Sequence, residues 1–373
     1  MSSISALWER AEARQPDRPA VVGAERVTYR QLGARIRLLA DCLAARGLAP
    51  GATCALVAGN TIEFVAGYFA ILHRGGVVLP IEPAAGDQQI RGQLEDSGAT
   101  LVLAHPELAE RATELSSQSD AVVIAMEREC GLGDPWTAPA IREGSQIAEL
   151  LYPTRAAEPL GVLRSHNAVR AAAGNAIAGL GYRAGEVIAI TGSLSDAATL
   201  SSQLIPILHL GGTAVLIDEL DATALVSSIR IDGITAIATT PARLERLVKA
   251  PDFAAELVPT LRLVVNTGEP LDPGAYTELK SRCPAVEVVS VYGHPENAIS
   301  AVLPDQLAES NSASVGRAIT GVEMRVADQS GNPVADDTEG ELQVRGPHLF
   351  AGYHGRPDAT ARAFTADGWF RTG

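Results

Sequence analysis

What the chain has least of narrows the field first. Aromatic residues make up only 4% of it although 46% is hydrophobic, so small and aliphatic side chains must fill its cores. Its four cysteines, Cys42, Cys54, Cys130 and Cys283, include no Cys-x-x-Cys pair. That argues against a disulfide framework or a thiolate metal site, and the cysteines read as reduced, mostly packing residues. Positive charge is in deficit: 30 Lys and Arg against 44 Asp and Glu leave a formal net charge of −14. Nucleic acid and anionic membranes both favour a basic face, so neither is expected as a partner. No apolar run approaches the ~20 residues that cross a bilayer. The stretch Met1 to Arg10 has no apolar signal core, and a soluble cytoplasmic protein is expected.

What is present is a strand–helix rhythm. Ala20–Tyr29 reads as a hairpin around Gly23, and Thr28 with Gln31 forms a capping box for a helix with the apolar stripe Leu32, Ile36, Leu39 and Leu43. A strand follows at Thr53–Val57, then a helix capped by Asn60 and ending before Gly75-Gly76. The alternation resumes with a helix over His166–Leu180, a strand at Val187–Ile190, a helix over Ala197–Leu210 ending at Gly211-Gly212, and strands at Thr235–Thr239, Arg262–Asn266 and Val286–Val291. After Leu303 the pattern becomes antiparallel, with strands at Val322–Ala327 and Glu341–Val344. The fold class is therefore α/β: two parallel-rich sheets covered by helices, plus a small antiparallel β-barrel-like unit. The expected divisions are 1–165, 166–303 and 304–373. Right-handed crossovers line up the strand C-termini, so the loops Thr191–Ser193, Thr239–Pro241, Asn266–Pro270 and Tyr292–Glu296 should cluster.

The order of several short motifs carries a family resemblance. They are Val27-Thr28-Tyr29-Arg30-Gln31-Leu32, the run Arg74–Pro83, Asn266-Thr267-Gly268-Glu269-Pro270-Leu271, Val291-Tyr292-Gly293-His294-Pro295-Glu296-Asn297, Gly340–Gly346 with Gly352-Tyr353, and Gly368–Gly373. In this order, over nearly the whole chain, they resemble the adenylate-forming superfamily: acyl-CoA synthetases, luciferases and the adenylation domains of nonribosomal peptide synthetases. The resemblance implies ATP and Mg²⁺ used to form an acyl-adenylate, with the acyl group then passed to a thiol. It assigns Thr154 and Gly161 to the phosphate loop, Gly268 and Glu269 to the adenine-side loop, Tyr292 and Gly293 to the nucleotide wall, and Glu296 to nucleotide and magnesium.

The departures fall on the phosphate machinery. Tyr152–Val162 aligns with a loop that the family fills with Gly, Ser and Thr and closes on Lys-Gly; here Gly161 remains, Leu160 stands at the lysine position, and Pro153 and Pro159 remove backbone donors. Pro295 replaces the family's Thr. Gly192-Ser193-Leu194-Ser195-Asp196 replaces its aromatic-His segment. The family's C-terminal small domain is expected to be absent.

These losses leave no cofactor expected, with ATP and Mg²⁺ kept as the open alternative. His294 is the candidate general base, and Ser193, Ser195 and Asp196 are its candidate companions, although loop serines and a pocket histidine are more often framework. His166 reads as a helix cap, His348 and His354 as surface residues, and Arg155, Glu158 and Arg164 as a solvated loop. Three readings stay open. The first is ATP-independent work on an activated acyl group held by an acyl or peptidyl carrier protein. The second is a non-catalytic scaffold docking such a carrier or a synthetase. The third is ATP-dependent adenylation completed by a partner.

Overall fold

A computed structural model describes residues 4–126, 143–153, 160–217, 222–308 and 313–373. Among these, the strands form three sheets. The nine-stranded sheet runs, edge to edge, Arg317–Ala318, Ala301–Leu303, Glu287–Tyr292, Leu263–Asn266, Ala236–Thr239, Val187–Ile190, Thr213–Leu216, Pro19–Val22 and Arg26–Thr28. The seven-stranded sheet runs Gly352–Tyr353, Val162–Ser165, Ile147–Leu151, Val77–Ile81, Thr53–Val57, Leu101–Ala104 and Val122–Ala125. A three-stranded antiparallel sheet joins Glu323–Ala327, Glu341–Arg345 and Phe370–Arg371. The two large sheets are mostly parallel with helical crossovers, so the α/β expectation holds.

Local sequence explains the first of the quoted motifs. Thr28 caps the helix Tyr29–Ala45 through the Gln31 N–H, and the Gln31 side chain returns to the Thr28 N–H. Tyr29 is fully buried, and its hydroxyl donates to the carbonyls of Leu208 (3.2 Å) and Gly212 (2.8 Å). One side chain thus reaches two carbonyls around the end of the helix Ile205–His209, tying the helix Tyr29–Ala45 to the turn that enters the strand Thr213–Leu216.

Three expectations are corrected. Thr61, not Asn60, caps the helix Ile62–His73. The helix expected over Ala197–Leu210 is broken into Ala197–Thr199, a π-helical turn at Leu200–Leu204, and Ile205–His209. Pro206 supplies no N–H to the Ser202 carbonyl and its ring crowds that carbonyl, which dilates the turn. Cys54 and Cys283 are free and buried as expected, whereas Cys42 is disulfide-bonded, and Cys130 lies outside the described residues.

Tyr29→Phe keeps the packing and removes the hydroxyl from the inward Gly212 carbonyl, while the Leu208 carbonyl keeps the Gly211 N–H. Urea unfolding should show a loss of about 1–3 kcal/mol, the cost of an unpaired buried polar group; a loss under about 0.5 kcal/mol would mean that the hydroxyl does not tie these elements together.

Candidate active site

The strands Val187–Ile190, Ala236–Thr239, Leu263–Asn266 and Glu287–Tyr292 are neighbours and parallel, so their C-terminal loops meet as expected. They enclose a cavity of about 560 Å³ whose walls include Asp196, Ser202, Thr240, Thr267, Gly268, Glu269, Gly293, His294 and Pro295. A smaller recess of about 90 Å³ lies beside it, between Gly268–Pro270, Ser290–Tyr292 and residues 313–315.

The loop bearing His294 is shaped by two side-chain constraints. A Cβ at Gly293 would lie 1.4 Å from the Ala298 carbonyl oxygen, so no other residue fits the turn. Asn297 accepts the His294 backbone N–H on its side chain, and its own N–H returns to the His294 carbonyl at 3.1 Å. The His294 ring packs edge-on against Tyr292, centroids 5.2 Å apart. Burial raises the Tyr292 hydroxyl above its ordinary range, while a hydrogen bond with Thr372 opposes the shift.

Of the four expected catalytic residues, Asp196 and His294 share the cavity wall. Ser193 and Ser195 are engaged elsewhere: both hydroxyls reach the Glu82 carboxylate, Ser195 at 3.0 Å, and their oxygens lie 2.7 Å apart. The same loop is pinned by Asn60, whose amide donates to the Gly192 carbonyl at 2.8 Å and accepts the Leu194 N–H at 2.9 Å. From sequence Asn60 was read only as a helix cap, and Glu82 was given no role at the site. The one available signal was that Asn60 and Thr61 competed for a single capping position, leaving the loser's side chain for another task.

Among the nucleotide-side residues, Gly268 adopts φ +94°, and the Asn266 amide fixes its loop through the Glu269 carbonyl at 2.9 Å. Gly161 packs under Tyr152, where a Cβ would meet Leu150 at 2.7 Å and the Tyr152 ring at 3.0 Å. Tyr152 in turn donates to Asp96 at 2.6 Å, which also pairs with Arg356 at 2.9 Å. Glu296 accepts the Tyr353 hydroxyl at 3.1 Å, and burial together with that carboxylate pushes the Tyr353 hydroxyl well up. Thr154, with Arg155 and Glu158, lies outside the described residues.

Three further readings are overturned. Arg164 is not solvated: it is wholly buried and ion-paired at 3.0 Å with the wholly buried Glu149. Two neighbouring strands each bring one charge inward, so neither is left uncompensated. His348 is likewise fully buried, and His166 is the buried first residue of a helix that Ser165 caps.

A family profile described as "AMP-binding enzyme" matches residues 8–354. The chain belongs to the AMP-binding enzyme family. Within that family it is 28% identical over 372 residues to a feruloyl-CoA synthase of an Amycolatopsis species, covering 98% of this chain and 74% of that one. It is 26% identical to tyrocidine synthase 3 of Brevibacillus parabrevis, covering 98% of this chain and 6% of that much longer protein. The inhibitor-bound crystal structure of the N-terminal domain of FACL13 from Mycobacterium tuberculosis superposes with a TM-score of 0.92 at 26% identity, covering 100% of this chain and 96% of that one. The large-domain architecture of the adenylate-forming enzymes is thus shared. No described helix is long and apolar enough to cross a membrane.

Burial, helped by the Arg164 charge, lowers His348 from 6.5 to about 4. An unfolded chain binds this proton at higher pH than the folded one, so the stability it contributes is full above pH 6.5 and is lost as pH falls toward 4. The loss should be roughly 3 kcal/mol at pH 4. Urea titrations of the protein and of His348→Gln should show a shallower acid slope in the variant; equal slopes would contradict a neutral buried imidazole.

Proposed function

We propose that the protein binds an activated acyl group, such as a carrier-protein thioester, and hydrolyses, cyclises or transfers it without consuming ATP. The observation that carries this reading is a cavity that reaches His294 as well as the Gly268–Glu269 and Gly293 loops, beside motifs whose lysine and threonine positions hold Leu160 and Pro295. The cavity is lined by Asp196, Thr240, Thr267 and His294. Leu160 stands where the family has lysine, Pro295 offers neither hydroxyl nor N–H, and the Glu296 carboxylate already accepts the Tyr353 hydroxyl. The recess formed by Gly268–Pro270 and Ser290–Tyr292 still suits a purine, so the described residues fit the adenosine half of ATP and fit its triphosphate poorly.

His294 then takes the role of general base. It removes a proton from water or an acceptor hydroxyl as that oxygen attacks the thioester carbonyl carbon; the C–S bond breaks and the departing sulfur receives the proton from the imidazolium. Asp196 lies on the same wall.

ATP-dependent adenylation completed by a partner is the second reading, favoured by the acyl-CoA and peptide synthetase relatives and by the retained purine recess. An open cavity counts against a purely docking role, for which nothing would keep such a space clear.

Thermal unfolding separates the readings. Millimolar ATP with Mg²⁺ should leave the midpoint unmoved, whereas an acyl N-acetylcysteamine thioester at about a hundred times its dissociation constant should add about 2.7 kcal/mol. A clear rise with ATP sinks the ATP-independent reading in favour of the second. His294→Ala should cut thioester turnover by about 10²–10⁴-fold while leaving the melting midpoint nearly unchanged.

A further inference from the structure

The buried pair Glu149–Arg164 joins two elements that the proposed chemistry does not explain. The residues are register partners in the hairpin of Ile147–Leu151 and Val162–Ser165, which carries the phosphate-loop segment between its strands. Tyr68, also fully buried, donates its hydroxyl to Glu149. Such a pair gives little net stability over well-packed apolar side chains of the same volume. What it supplies here is reach. Arg164 Nη1 crosses to the other large unit and donates to Ser201 Oγ at 2.7 Å. Among the described residues, Nε and Nη2 of the same guanidinium have no hydrogen-bond partner, so this grip runs through one N–H.

Ser201 sits in the π-helical turn Leu200–Leu204, and its neighbours in that segment, Ala198 and Ser202, line the cavity. A π turn is a dilated, less favourable form of helix, common at functional sites. Pro206 accounts for the dilation, and the Ser201–Arg164 hydrogen bond holds the dilated turn from the side of the other large unit. On its other side Arg164 acts electrostatically on His348, whose Nε2 pairs with Ser300 Oγ at 3.0 Å. Ser300 donates to the Asn297 carbonyl, and Asn297 holds the His294 N–H. One charge thus touches the wall of the cavity and backs the loop of its histidine.

We propose that Arg164 is a positioning residue for the cavity: through Ser201 it fixes the π-helical wall and so sets the size of acyl group accepted. The size claim rests on the cavity being an acyl site, as proposed above; the fixing of the wall does not.

Ser201→Ala removes the contact and leaves the ion pair, and Ser201→Thr keeps the hydroxyl. Hydrogen exchange of the ligand-free protein should show at least tenfold lower protection over residues 197–209 in Ser201→Ala, with the helix 166–179 unchanged and Ser201→Thr close to the parent. Glu149→Met combined with Arg164→Met should reproduce the pattern with little change in melting midpoint. Across N-acetylcysteamine thioesters from acetyl to octanoyl, the ratio of dissociation constants for the longest and shortest should move at least fivefold in Ser201→Ala and stay put in Ser201→Thr. Unchanged protection over 197–209, a loss spread evenly along the chain, or an unaltered ratio in a loosened wall overturns the proposal. A parent protein that binds none of the thioesters overturns the acyl-site reading instead, and the exchange arm still decides whether Arg164 holds the wall.

Discussion

Two full charges, Glu149 and Arg164, lie wholly out of water, and much of the architecture around the cavity is arranged to make that tolerable. The desolvation of each ion is compensated by the other, by the Tyr68 hydroxyl and by Ser201, so four side chains from separate parts of the chain must arrive together. Near the same charge, His348 stays neutral and joins Ser300 to the loop carrying His294. The hairpin, the cavity wall and the histidine loop therefore share one electrostatic reference point. Loss of either ion alone would leave the other stranded, which makes the arrangement cooperative rather than additive.

Around this joint the site divides into halves of different character. On one side lie the cavity and His294, with the loop at Gly192–Leu194 held by Asn60 and the His294 loop shaped by the Gly293 turn. On the other side the described residues of the phosphate-loop motif are engaged in packing. Gly161 is retained, but its missing side chain makes room for the Tyr152 ring, and the Tyr152 hydroxyl is spent on Asp96. Glu296 holds Tyr353 and so fastens the loop to the strand Gly352–Tyr353. Gly161 and Glu296, which resemble ligand-binding groups, also make packing and hydrogen-bond contacts within the fold.

The sheets were legible in the sequence because short apolar runs alternate with helical periodicity, and the strand Val187–Ile190 and the capping box at Thr28 fall where the pattern put them. The cluster of loops followed from handedness alone. What sequence could not supply was direction: Ser193 and Asp196 are three residues apart, yet one meets Glu82 and the other the cavity. Nor could local reasoning find Arg164 buried, since an arginine beside a loop looks solvated until its register partner Glu149 is known. The π-helical turn escaped for a related reason: Pro206 weakens a helix, but whether the helix stops, kinks or dilates depends on what holds the preceding turn.

Each large sheet is finished by a strand from a distant part of the chain. Pro19–Thr28 completes the edge of a sheet built from residues beyond 186, and Gly352–Tyr353 covers Val162–Ser165, a strand made almost two hundred residues earlier. During synthesis the early strands must therefore wait: the first hairpin has no sheet to join until Thr213–Leu216 emerges, and the edge at Val162–Ser165 stays open until the closing strand is made. Such long closures slow folding and leave an unpaired edge available to other chains meanwhile. For this protein the ribosome's order of delivery, rather than the stability of the finished fold, sets the period of greatest exposure to aggregation.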